Sequence, residues 1–113
     1  MNTSSSNFLY ENEQKWEPAG EGITRQILGY DGQIMLVKVA FEAGAIGYEH
    51  QHFHSQCSYV VSGVFEVTMK GEKQTLKAGD GFYVQPDLIH GAKCIESGML
   101  IDVFSPSRQD FLK

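Results

Sequence analysis

Three of the four histidines in this chain, His50, His52 and His54, fall within five consecutive residues. On an extended strand the spacing His50-Gln51-His52 sets two imidazoles on one face, where they can chelate one ion. Gln56 follows four residues after His52. His90 comes after the turn-forming residues Gly79-Asp80-Gly81 and Pro86-Asp87, which would return the chain to the mouth of a barrel. Three neutral imidazoles and one amide oxygen then form a pocket for one divalent ion. The competing reading is a solvated histidine-rich loop. An isolated His-x-His carries little weight, and the added Gln56 and distant His90 favour the metal. His54 stays open between two placements. On a continuing strand it shares a face with His52, and the two could chelate instead. If Phe53 to Ser55 turns, His54 falls at the rim of the pocket.

The elements that position these groups read as short strands. Gln33 to Phe41 is a run rich in Ile, Leu, Val and Phe, closed by the glycine-punctuated turn Glu42 to Gly47. Ser58 to Val61 precedes Ser62-Gly63 and then Val64 to Met69, where Val64, Glu66 and Thr68 alternate with Phe65, Val67 and Met69. That period of two marks a strand with two unlike faces. Lys70 to Lys73 reads as a hairpin turn into Gln74 to Leu76, and Phe82 to Val84 is a strand that Pro86 should end. Met99 to Phe104 is a final apolar strand. The tail from Arg108 to Lys113 reads as a helical turn or a surface segment. Short strands separated by frequent turns imply an all-β sandwich or barrel.

Composition bounds the rest. A chain of 113 residues predicts one domain over 1–113, with the polar residues 1–7 as a flexible lead. Nine Lys plus Arg against fourteen Asp plus Glu give a net charge of −5. This excludes nucleic acid and an anionic membrane as main partners, since both need a basic face. No run approaches a membrane span, and no signal peptide is legible. Cys57 and Cys94 read as buried free thiols, which places the protein in a reducing cytoplasm. The Gly-rich turns contain no phosphate-loop pattern.

Gly44, His50, His52, Gln56 and Gly63, followed by Gly79, Pro86 and His90, resemble the two motifs of the cupin superfamily. The resemblance spans about 34–104 and implies a double-stranded β-helix, the cupin jelly-roll barrel. Cupins usually carry Glu where this chain has Gln56. Tyr59 to Val67, His90-Gly91-Ala92 and Leu100 to Pro106 with Arg108, Asp110 and Phe111 are similar to the KdgF-type pectin and alginate degradation cupins. That resemblance implies a metal-dependent conversion of 4,5-unsaturated monouronates to the linear keto form, an isomerase- or lyase-type ring opening. It implicates an aspartate, an aromatic residue and an arginine near the C-terminus. The matching positions are Asp102 and Arg108 as catalytic residues and Phe104 in the substrate pocket. It also implies a homodimer, with aromatic residues between Phe8 and Trp16 available to cover a strand edge. One divalent ion per chain is implied, with nickel, zinc, iron and manganese all admissible.

The residues fit that chemistry. An all-neutral ligand set leaves a divalent ion its full charge, which can hold a small anionic sugar. Asp102 interrupts the apolar strand Met99 to Phe104, where a carboxyl is disfavoured without a purpose. Leu100, Asp102 and Phe104 share one face by period-two geometry. Arg108 could grip a uronate carboxylate bidentately, or lie on the surface of the tail. Two other functions remain open: another cupin metalloenzyme such as a dioxygenase, and a non-catalytic sugar-binding cupin. Non-haem iron oxygenases often use two His and one carboxylate, which Gln56 does not supply.

Overall fold

Runs of β-branched and aromatic residues interrupted by glycine turns leave no helix longer than a single turn among the described residues. The computed structural model describes residues 3–112. It contains eight strands: β1 (Trp16–Gly20), β2 (Ile23–Tyr30), β3 (Met35–Phe41), β4 (Ile46–His50), β5 (Ser55–Met69), β6 (Glu72–Lys77), β7 (Gly81–Val84) and β8 (His90–Ser105). Two short 3-10 turns, Glu11–Glu13 and Gln109–Leu112, complete it. All pairings are antiparallel.

Two long strands organise the barrel. β5 and β8 run alongside each other, and each divides its length between two sheets. The first half of β5 pairs β7 and its second half pairs β6. The first part of β8 pairs β4 and its last part pairs β3. The two sheets so formed, β1-β2-β3-β8-β5-β7 and β4-β8-β5-β6, face each other across the core. Phe41 of β3 meets Phe65 of β5 edge-to-face, with ring centroids 5.1 Å apart.

The expected all-β jelly roll is present, with some boundaries redrawn. The segments 58–61 and 64–69, read as two strands, are one strand, β5. Met99 to Phe104 is only the last part of β8. The strands cross from sheet to sheet at a glycine corner instead of ending there. Gly63 sits at φ +83, and a Cβ on Gly98 would lie 2.0 Å from the Ser62 carbonyl oxygen. Only a residue without a side chain permits that approach. Lys70 and Gly71 both have positive φ, the type I′ geometry of a two-residue hairpin.

β1 and β2 carry no clean alternation and were not anticipated. β1 is an edge strand, which is why it tolerates Pro18. The segment before it folds over β3, where Lys38 pairs with Glu11 and lies 5.5 Å from the Trp16 ring. Buried Gln26 donates to the carbonyls of Glu11 and Gln14. Of the lead read as flexible, residues 1–2 lie outside the described residues. Ser5 is tied down: its N–H donates to Tyr30 O at 2.9 Å, and Tyr30 N–H donates to Ser5 Oγ at 3.0 Å.

One core cluster gathers Ile23, Phe41, Val60, Phe65, Val67, Cys94 and Leu100. A second gathers Met35, Val37 and Phe104, with Phe111 and Leu112 of the C-terminal turn packed on it. Both cysteines are free, but only Cys94 is buried. Cys57 is exposed because its neighbours Gln56 and Ser58 take the inward face of β5.

Candidate active site

The site lies between the two sheets at one end of the barrel. His50 ends β4 and His90 begins β8, and the two are register partners with ring centroids 4.4 Å apart. His52 is not on the strand with His50, as the spacing suggested. It sits in the loop after β4, where its carbonyl accepts the Asp87 N–H at 2.7 Å. The loop still delivers the ring, 5.5 Å from His50 and 5.0 Å from His90. One nitrogen from each of the three rings lies within 4.8 Å of the others.

The backbone assigns the tautomers. Each Nδ1 lies against a carbonyl oxygen: His50 on Tyr48 at 2.9 Å, His52 on His54 at 3.2 Å, His90 on Leu88 at 2.9 Å. A carbonyl only accepts, so each Nδ1 carries the proton and each Nε2 keeps its lone pair. Metal-binding histidines are oriented in this way. His90 Nε2 is buried and has no partner among the described residues.

Gln56 is oriented by the same logic. Ser58 donates its one hydroxyl proton to Asp102 Oδ1 at 2.6 Å, so Ser58 Oγ accepts from Gln56 Nε2 at 2.9 Å. Gln56 Oε1 is therefore turned toward His52 Nε2, at 3.0 Å. Two acceptors face each other there. Three converging lone pairs, one orphaned buried nitrogen and a fourth oxygen acceptor fit a divalent cation, which His50, His52, His90 and Gln56 would hold.

Burial favours the neutral form of His90 and His52. Burial pushes the His90 pKa down to about 4, against the hydrogen bond that its Nδ1–H donates to the Leu88 carbonyl. Burial, followed by the Arg108 charge, also lowers His52. His54 resolves differently from both readings. β5 starts at Ser55, so the segment turns, yet His54 is buried and stacks on Phe53 at 4.0 Å. It lies behind His52, outside the group of three.

Asp102 faces the same cavity with Leu100 and Phe104, as the period-two reading required; the cavity is about 230 Å³. Burial pushes the Asp102 carboxyl up to about 6, against the Ser58 hydrogen bond and the Arg108 charge. Arg108 also lines the cavity, but Asp110 holds it. Its Nε donates to Asp110 Oδ1 at 3.1 Å and its Nη2 to Asp110 Oδ2 at 2.9 Å. The guanidinium lies 4.9 Å from the Phe104 ring and 4.1 Å from Phe111. Arg25 has no place in the sequence reading, and Phe111 enters it only through the family resemblance, without a role; both line the cavity. Arg25 of β2 donates its Nε to Glu17 at 2.8 Å and lies 3.7 Å from the Phe111 ring. Phe111 closes that side of the cavity. The signal for Arg25 was its register partner Glu17 on β1, visible only once that hairpin is recognised.

Comparison with known proteins adds to this geometry. The model of the cupin domain matches residues 37–104. The chain is 44% identical over 107 residues to the pectin degradation protein KdgF of Dickeya dadantii (strain 3937), covering 93% of this chain and 97% of that one. Among solved structures it resembles an RmlC-like cupin from Shewanella frigidimarina NCIMB 400, with TM-score 0.94 and 46% identity over 97% of this chain and 99% of that one. It also resembles KdgF from Halomonas sp., with TM-score 0.89 and 40% identity over 95% and 99% of the two chains.

Proposed function

We propose a function from one premise: the chain belongs to the cupin family, and within it to the KdgF-type pectin degradation proteins. It is a single-domain enzyme that converts 4,5-unsaturated monouronates, released in pectin or alginate breakdown, to their linear keto form. The observation that carries this reading is the Gln56–Ser58–Asp102 chain of hydrogen bonds. It ties a carboxyl of raised pKa to a cluster of metal-binding type inside one cavity.

His50, His52, His90 and Gln56 would hold one divalent ion. When bound, that ion supplies a Lewis acid for a substrate oxygen. Asp102 moves the proton. In the cyclic substrate the ring oxygen joins the hemiacetal carbon to a carbon of the double bond. Asp102, ionised near neutrality, takes the proton of the anomeric hydroxyl. The carbonyl forms as the ring bond breaks, and the electron pair leaves on the former ring oxygen as an enolate. Return of the proton to the far carbon of the double bond gives the ketone and regenerates the carboxylate. No atom is gained or lost.

Arg108, fixed by Asp110, places positive charge beside the developing oxygen charge. Phe104 supplies an apolar wall that keeps water from the enolate. The protein acts as a homodimer in the cytoplasm. The exposed outward side chains Tyr59, Val61 and Tyr83 support association, and the free thiols suit a reducing compartment.

The test is the decay of the conjugated double-bond absorbance of an unsaturated galacturonate or mannuronate. Metal-loaded protein should accelerate it above the spontaneous rate. An unchanged rate, or oxygen consumption in step with substrate loss, overturns the reading.

A further inference from the structure

The cavity holds two guanidinium groups, and their donors are committed differently. Arg108 spends Nε and Nη2 on both oxygens of Asp110, a bidentate pair. That leaves one terminal nitrogen. Arg25 spends only Nε, on one oxygen of Glu17. Both of its terminal nitrogens are without partners among the described residues, and its side chain keeps 22% exposure in the lining of the cavity. Two parallel N–H donors from one guanidinium are what a carboxylate takes in fork geometry. The Arg25 plane is also held in place, by Glu17 behind it and by the Phe111 ring 3.7 Å away. A guanidinium held this way loses little freedom when it binds.

We propose that Arg25 is the anchor for the substrate carboxylate, and that Arg108 is not. This rests on the uronate ring-opening reading and deepens it. Arg25 selects an acidic sugar over a neutral one, while Asp102 and Arg108 face the bonds that change. Glu17 is a positioning residue that acts through Arg25.

The experiment compares wild type with Arg25→Gln and Arg25→Lys, each metal-loaded, by steady-state ring opening. Calorimetric titration with galacturonate and with galactose, neither of which carries the double bond, supplies a second readout. For Arg25→Gln the expected result is a KM raised about 10- to 100-fold, the size of a lost charge-assisted pair, with kcat changed less than about threefold. Its preference for galacturonate over galactose should disappear. Arg25→Lys keeps the charge without the fork and should fall between the two. If Arg25→Gln does not fold, the intermediate KM of Arg25→Lys decides. An unchanged KM and an intact preference for galacturonate in the folded variants overturn the proposal. If wild type opens no ring yet prefers galacturonate, and Arg25→Gln loses that preference, the activity reading fails and the anchor stands.

Discussion

Asp102 is a poor residue for a barrel interior and a good one for proton transfer. A carboxyl with a pKa near 6 is mostly ionised at neutral pH and still basic enough to take a proton. Asp102→Asn keeps the shape, accepts the Ser58 hydrogen bond and removes the base. Turnover should fall by about 100-fold or more, while metal content, read by elemental analysis, stays at the wild-type level. An active variant would remove Asp102 from the mechanism. His52→Ala should instead lower the metal content itself, because one of the converging Nε2 atoms is gone; full occupancy in that variant would refute its place in the cluster. The sequence exposed these residues because their types are rare in their settings: histidines at close spacing, and a charge inside Met99 to Phe104. Arg25 and Phe111 have ordinary types in ordinary settings. Their importance arises from tertiary packing against each other, which no local pattern records.

At the scale of elements, legibility followed alternation. β5 could be read over 64–69 because Phe65 and Val67 point inward while their neighbours do not. β2 could not, since Thr24, Arg25 and Gln26 break the period and Gln26 is buried by its bonds to the N-terminal segment. The glycine corner reads in the sequence as a strand end for a related reason: glycine marks a turn and a close crossing equally well. The crossing makes a sharp prediction. Gly98→Ala puts a methyl group 2.0 Å from the Ser62 oxygen and 2.6 Å from Gly63 Cα, backbone on both sides. Neither partner can rotate away, so β5 and β8 must separate where both sheets depend on them. A loss of at least about 2–3 kcal/mol is expected, measured by urea denaturation. Gly44→Ala meets nothing within 4 Å at its Cβ. Its cost is confined to a positive-φ backbone, about 1 kcal/mol. Equal effects from the two substitutions would refute the steric account.

At the scale of the whole molecule, the titratable groups of the site oppose one another, and stability against pH should reveal this in the metal-stripped protein. His90, His52 and His54 all have lowered pKa values. Between about 4 and 6.5 the unfolded chain binds more protons at these positions than the folded one. By linkage they make stability rise with pH through that window and fall on acidification. Asp102 acts with the opposite sign. Its folded pKa near 6 exceeds the value of 3.8 for an unfolded carboxyl, so the folded chain binds the extra proton and stability falls as pH rises from about 4 to 6. At neutral pH the buried carboxylate costs on the order of 2–3 kcal/mol at about 1.4 kcal/mol per unit. Asp102→Asn removes that cost. The variant should be more stable than wild type at pH 7 and approach it near pH 4, with a steeper acid loss because only the histidines remain. Urea denaturation of both proteins at pH 7, 5.5 and 4.5, after chelation, measures the difference. A gap that stayed constant with pH would show that the substitution acts through packing, and that Asp102 does not carry the raised pKa on which its role as the proton carrier depends.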